Sequence, residues 1–158
     1  MWSTEHSENT PADAPTVWRL WSDVGGWSSW DSSVESAELD GAFAAGSRGR
    51  LAPRGARAVR FSIVEAVARE RFVTECRPPL ARFRFEHWLT SGPDGGTAIT
   101  DRTTIIGPLS PLFARLIGRQ IAADLPDAVP ALARLAASQA QGSVADDPQP
   151  SAPPARAS

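Results

Sequence analysis

Residues 81–90 read Ala-Arg-Phe-Arg-Phe-Glu-His-Trp-Leu-Thr. In an extended strand, alternation puts Phe83, Phe85, His87 and Leu89 on one face and Arg82, Arg84, Glu86 and Trp88 on the other. The first face is mainly apolar and needs a cover, while the second is charged and suits water. A strand of an antiparallel sheet with one covered face carries this signature.

The flanking sequence extends the pattern. From Val34 to Ile106 period two persists, and Gly41, Gly46, Pro53-Arg-Gly55, Pro78-Pro79 and Gly92-Pro-Asp-Gly-Gly96 cut the stretch into about six strands. With consecutive strands paired as hairpins and apolar faces matched, Thr74 meets Phe85 and His87 meets Asp101. Glu75 then lies beside Arg84, and Glu86 beside Arg102. Pairing Phe61 with Thr74 likewise sets Arg60 opposite Glu75. Opposite charges across neighbouring strands favour such registers.

Upstream, residues 2–10 contain no breaker and read as a further strand. Pro11-Ala-Asp-Ala-Pro15 starts a helix, with Asp13 as the cap and Pro15 in the first turn. That helix carries Val17, Trp18, Leu20 and Trp21 and ends at Gly25-Gly26; a second short turn follows at Trp27–Asp31. Beyond Gly107-Pro108 the period becomes helical. Leu109, Leu112, Phe113, Leu116, Ile117, Ile121, Leu125, Leu132 and Leu135 form an apolar stripe, with a kink or short break expected at Pro126 and Pro130. The expected class is α+β: a seven-stranded antiparallel sheet wrapped around a long C-terminal helix, with two short helices after the first strand. A curved sheet around one helix leaves a space that becomes a pocket.

Residues 1–138 are expected to form this single domain. From Gln139 to Ser158 the chain has almost nothing apolar larger than alanine, so a disordered Ala/Pro/Ser-rich tail is expected. The net charge of −2 argues against a nucleic-acid or acidic-membrane partner. All 16 basic residues are arginine, and there is no tyrosine. Cys76 is the single cysteine, so neither an intramolecular disulfide nor a cysteine zinc site can form. Met1-Trp-Ser-Thr-Glu-His6 lacks the basic start and apolar run of a signal peptide. No stretch approaches the ~18 apolar residues of a membrane span. A cytoplasmic location is expected.

The chain resembles the START-like, or SRPBCC, superfamily, in particular its polyketide cyclase/dehydrase group. The resemblance rests on Glu5-His6-Ser7, Val17-Trp18-Arg-Leu-Trp21-Ser-Asp23-Val24 and Trp27-x-x-Trp30-Asp31. It continues through Leu39-Asp-Gly41-x-Phe43-x-x-Gly46, Phe85-Glu-His87, Gly107-Pro108-Leu109 and Ile117-Gly118-Arg119 leading to Leu125-Pro126. It implies a helix-grip fold and a hydrophobic ligand such as a lipid, polyketide or aromatic molecule. Some relatives are cyclases or aromatases. The resemblance further implies that His6, Asp101 and His87 sit on three neighbouring strands and face inward. The family commonly has a histidine near position 101, where this chain has aspartate.

A small hydrophobic ligand is the expected partner, and no cofactor or metal is expected. Phe61, Phe72, Phe83 and Phe85, with Thr74 between them, form the expected wall of the site. Trp27 and Trp30 stand either at its mouth or in the core, Trp18 and Trp21 suit the core, and Leu116 would face the ligand from the helix. His6, His87 and Asp101 are the polar candidates. They would serve as a hydrogen-bonded ligand contact, or His87 with Asp101 or His6 would act as general acid/base in a cyclase or dehydratase. Aromatase and cyclase relatives commonly place tyrosine and arginine in the pocket, which fits this composition less well.

Overall fold

A computed structural model of the chain describes residues 1–145. Seven strands form one antiparallel sheet: β1 (Trp2–Thr10), β2 (Val34–Asp40), β3 (Arg48–Pro53), β4 (Val59–Val67), β5 (Arg71–Cys76), β6 (Arg82–Ser91) and β7 (Thr97–Ile106). Their spatial order is β1-β7-β6-β5-β4-β3-β2. Helix α1 (Ala14–Ser22) and a 3-10 segment, Val24–Ser29, follow β1. After β7 come α2 (Ser110–Phe113), a π-helical turn over Ala114–Gly118, and the long α3 (Arg119–Ala145). This is a helix-grip fold.

Helix α1 starts where the sequence places it. Asp13 is in extended backbone, and its carboxylate accepts the Thr16 N–H at 2.9 Å, which supplies a partner to an otherwise open helix N-terminus. The Thr16 side chain, the largest influence, and then that backbone N–H hold the Asp13 carboxyl below its ordinary value. Val17 and Trp21 turn inward, and the Trp27 indole donates to the Trp21 carbonyl at 2.9 Å. Trp27 also stacks on Phe61, with ring centroids 5.8 Å apart. Trp27 is therefore core and not a lid.

Strand β7 organises the sheet. It pairs in unbroken register with β1 on one side and β6 on the other, so Asp101 stands between His6 and His87 in one row. Thr74 pairs with Phe85 and Glu75 with Arg84, as the alternation requires. The register between β4 and β5 differs from the expected one. Thr74 faces Ile63 and Glu75 faces Ser62, with a bulge between Ile63 and Glu65. Arg60 therefore stands two positions before the partner of Glu75, because the turn after β4 is centred on Arg69, further along the chain than the expected register requires. Glu75 is held instead by Arg77 at 2.8 Å and Arg84 at 3.0 Å. Close backbone approach is fixed at Gly49, where a Cβ would collide with the Phe61 ring and the Glu38 carbonyl.

The covering helix runs unbroken through Pro126 and Pro130. The irregularity expected at the prolines lies earlier, in the π-helical turn over Ala114–Gly118. There Gly118 lies against the Trp2 ring. Helix α3 packs mainly on β1, and next on α1 and β7, and the Thr10 hydroxyl donates to the Ala133 carbonyl at 2.9 Å. The helix continues through Ala145, so Gln139–Ala145 are helical where a tail was expected; residues 146–158 lie outside the described residues. No helix among the described residues is long and apolar enough to cross a membrane.

Candidate functional site

The inner face of the sheet is built from two kinds of side chain. An aromatic cluster fills one part: Phe72 is fully buried and meets Trp18, Trp21 and Phe43 edge-on at centroid distances of 5.0 to 6.4 Å. Phe61 joins it through Trp27. Phe83 is also buried and meets Phe113 edge-on at 5.3 Å. Such contacts add specific geometry to a large apolar burial.

Beside this cluster is a polar row. His87 lies flat on Phe72, with centroids 4.2 Å apart and ring planes 13° apart, and its ring is 5.9 Å from that of Trp21. Its Nδ1 is 2.9 Å from Asp101 Oδ1. The side chains are 18% and 5% exposed, so the pair is withdrawn from bulk water. The distance is that of an ion pair, but the angles do not make a hydrogen bond, and neither atom has another partner among the described residues. His6 completes the row from β1. Its Nε2 is buried without a hydrogen-bond partner and reaches no closer than 4.0 Å to Glu8.

Two indole N–H groups are in the same condition. Trp21 and Trp30 each have a buried Nε1 with no partner among the described residues. A buried donor or acceptor left unpaired costs about 1–3 kcal/mol. Three such atoms, on His6, Trp21 and Trp30, concentrate that cost in the interior, and His87 Nδ1 and Asp101 Oδ1 face only each other. Asp31 adds a further carboxyl. Burial, the largest influence, pushes its pKa up against hydrogen bonds from Ser33, and the charges of Asp124 and Asp101 add to the rise. Trp21 and Asp31 are thus further candidate groups that the sequence showed only as members of the aromatic run and of Trp27-x-x-Trp30-Asp31.

The helix leaves part of this face open. Phe85 occupies the middle of β6 between Thr74 and Thr103, yet it remains part-exposed while both threonines are buried. Leu116 does not help to close the site. It is exposed on the outside of the π-helical turn, well away from the role expected for it. Arg57 is exposed as well. Cys76 is only part-buried, and burial pushes its thiol pKa up to about 11.

The outer face is a different environment. Arg102 grips Glu5 through two nitrogens at 2.6 and 2.7 Å and lies 5.0 Å over the Trp88 ring. Two open hollows of about 510 and 620 Å³ lie on this side, walled by charged residues such as Glu65, Arg71, Glu86 and Arg102. They suit water better than an apolar ligand. Among the described residues, no group of three His, Cys, Asp or Glu is placed to hold a metal ion.

The model of the family described as polyketide cyclase/dehydrase and lipid transport matches residues 1–137. The chain belongs to that family. Solved structures agree on the fold. A protein from Thermobifida fusca superposes with a TM-score of 0.69 at 22% identity, over 87% of this chain and 95% of that one. Ara h 8.0201 gives 0.67 at 13% identity, over 87% and 98%. The di-domain ARO/CYC StfQ, from the steffimycin biosynthetic pathway, gives 0.70 at 12% identity over 88% of this chain and 51% of its own. No curated protein matches the sequence. Membership in the polyketide cyclase/dehydrase and lipid transport family supports hydrophobic-ligand binding or a cyclase role in general terms.

Proposed function

We propose that the protein binds a small, mainly apolar molecule between the inner face of the sheet and α3. The observation that carries this is the exposure of Phe85 at the middle of a covered face, beside buried polar atoms that have no protein partner. The aromatic rings of Phe61, Phe72, Phe83 and Trp27 form a rigid wall behind the ligand. The polar row gives the ligand a fixed orientation: Asp101 accepts, the Trp21 and Trp30 indoles donate, and the two histidines do either.

Charge narrows the ligand class. Every described arginine is exposed or engaged on the outer face, while Asp31 and Asp101 lie within. A carboxylate or phosphate placed beside Asp101 would meet a like charge with no cation to offset it. The ligand is therefore neutral or basic and carries a hydroxyl or a comparable donor. Native mass spectrometry of the purified chain and a thermal-shift screen across a hydrophobic library test this. A co-purified neutral molecule or a clear shift is expected; no bound mass and no shift with any compound would overturn it.

The 2.9 Å approach of His87 to Asp101 favours a second reading, a cyclase- or dehydratase-type enzyme. With Asp101 beside Nδ1, Nε2 is the ring nitrogen left to act as the base for a substrate C–H or O–H. His6 stands one strand beyond and can hold the opposing oxygen. With a turned-over substrate in hand, His87→Ala and Asp101→Asn should each remove most of the activity. Unchanged turnover would exclude the mechanism.

A further inference from the structure

One end of the domain combines exposed leucines with unopposed arginines. Leu116 is 67% exposed, Leu80 65% and Leu112 49%, and Ile117 is exposed too. Folding brings them together. The Leu109 N–H donates to the Leu80 carbonyl at 3.2 Å, which ties the β5–β6 turn to the start of α2. Phe113 points inward to Phe83, and Gly118 lies on Trp2, so Leu112 and Leu116 are left on the outward side of the same segment. Leu80 has φ of 59°, a left-handed conformation that a bulky side chain rarely adopts. Glycine or asparagine would sit there at lower cost, yet the position presents a leucine to solvent.

The charge at this end is one-sided. Residues 76–85 and 106–123 contain five arginines, Arg77, Arg82, Arg84, Arg115 and Arg119, and no aspartate or glutamate. The nearest carboxylate, Glu75, is buried beneath Arg77, Arg82 and Arg84. Burial alone would raise its pKa most, but the hydrogen bonds from Arg77 and Arg84 and the charge of Arg82 outweigh this and hold it below its ordinary value. Arg84 also meets Glu86 at 3.4 Å, so two carboxylates face these three guanidiniums. Arg115 and Arg119 are exposed and form no ion pair among the described residues. The net charge of −2 averages over the chain and hides this end.

We propose that this end docks on the surface of a lipid bilayer containing anionic lipid. Leu80, Leu112 and Leu116 enter the boundary between headgroups and acyl chains, and Arg115 and Arg119 lie against the lipid phosphates. Exposed apolar side chains flanked by arginine on a short helical segment are the chemistry of an interfacial contact. A protein partner would have to match the leucines in shape, whereas a bilayer needs only the apolar area and the charge. The docking is independent of what the inner site holds.

Vesicle co-sedimentation with the full chain tests the proposal. Vesicles of phosphatidylcholine alone are compared with vesicles containing about 30 mol % phosphatidylglycerol, at low and high salt. Binding is expected to the anionic vesicles, weakening with salt. The pairs Leu112→Asp with Leu116→Asp, and Arg115→Glu with Arg119→Glu, should each lower binding about tenfold or more. Circular dichroism should show both variants folded, since all four positions are exposed. Binding unchanged in either pair, or no binding to anionic vesicles, would overturn the proposal. A dimer that the leucine variants abolish, without vesicle binding, would overturn it in favour of self-association.

Discussion

His87 Nδ1 lies 2.9 Å from Asp101 Oδ1, and the two residues are direct partners across β6 and β7. Neither atom has a hydrogen bond among the described residues, so each depends on the close approach of the other and on whatever else enters the site. Replacing Asp101 by Asn keeps the shape but removes the charge. The expected loss of folding stability is about 1–3 kcal/mol at neutral pH, measured by urea unfolding. Asp101→Ala should cost more, because His87 then has no polar partner on β7.

Two carboxyls give stability opposite pH trends. Glu75 is held below its ordinary value of 4.5, so it stabilises the fold above that pH. The contribution is lost as pH falls through its lower, folded value. Asp31 is raised above its ordinary 3.8, so its ionisation opposes folding above the raised value, and this cost fades towards pH 3.8. Glu75→Gln should therefore lower stability at neutral pH and flatten the loss below pH 4.5. Asp31→Asn should raise stability at neutral pH and converge on the parent protein in acid. Urea midpoints across the acid range measure both.

Phe72 is the hub of the aromatic cluster and the ring on which His87 rests. Phe72→Ala should cost about 3–5 kcal/mol and loosen His87. Trp27→Phe keeps the stacking on Phe61 but loses the indole bond to Trp21, for about 1 kcal/mol. Thermal or denaturant unfolding separates the two.

Cys76 offers a check on the interior of the sheet. Its thiol pKa of about 11, caused by burial, leaves very little thiolate at neutral pH. In the folded protein it should react with an aromatic disulfide reagent far more slowly than in urea. Equal rates would show that water reaches this face freely.

Much of the fold is legible in the residues, and the reasons are local. Strands β5, β6 and β7 alternate cleanly, and their charges pair only in the observed register, so Glu75–Arg84 and Glu86–Arg102 follow directly. The β4–β5 register does not follow, because its turn places a non-glycine residue, Arg69, at φ 65° and no glycine or proline marks the position. Leu112 and Leu116 fit a helical stripe of regular period. The π-helical turn over Ala114–Gly118 holds more residues per turn, so the stripe slips around the helix and Leu116 joins Leu112 in facing solvent. Trp21 is recognisable as aromatic core and Trp30 as either core or cavity mouth, but which indole N–H lacks a partner depends on packing that no local pattern encodes.

The central claim is that the inner site, between Phe85 and the His6–Asp101–His87 row, receives a neutral apolar ligand. The most direct test follows the six tryptophan indole N–H resonances by NMR during titration with a neutral fused-ring phenol. Trp21 and Trp30, whose N–H groups are buried and unpaired, should shift and saturate. Trp88, beneath Arg102 on the outer face, should not move. Saturable shifts at Trp88 with Trp21 and Trp30 unchanged would contradict the account.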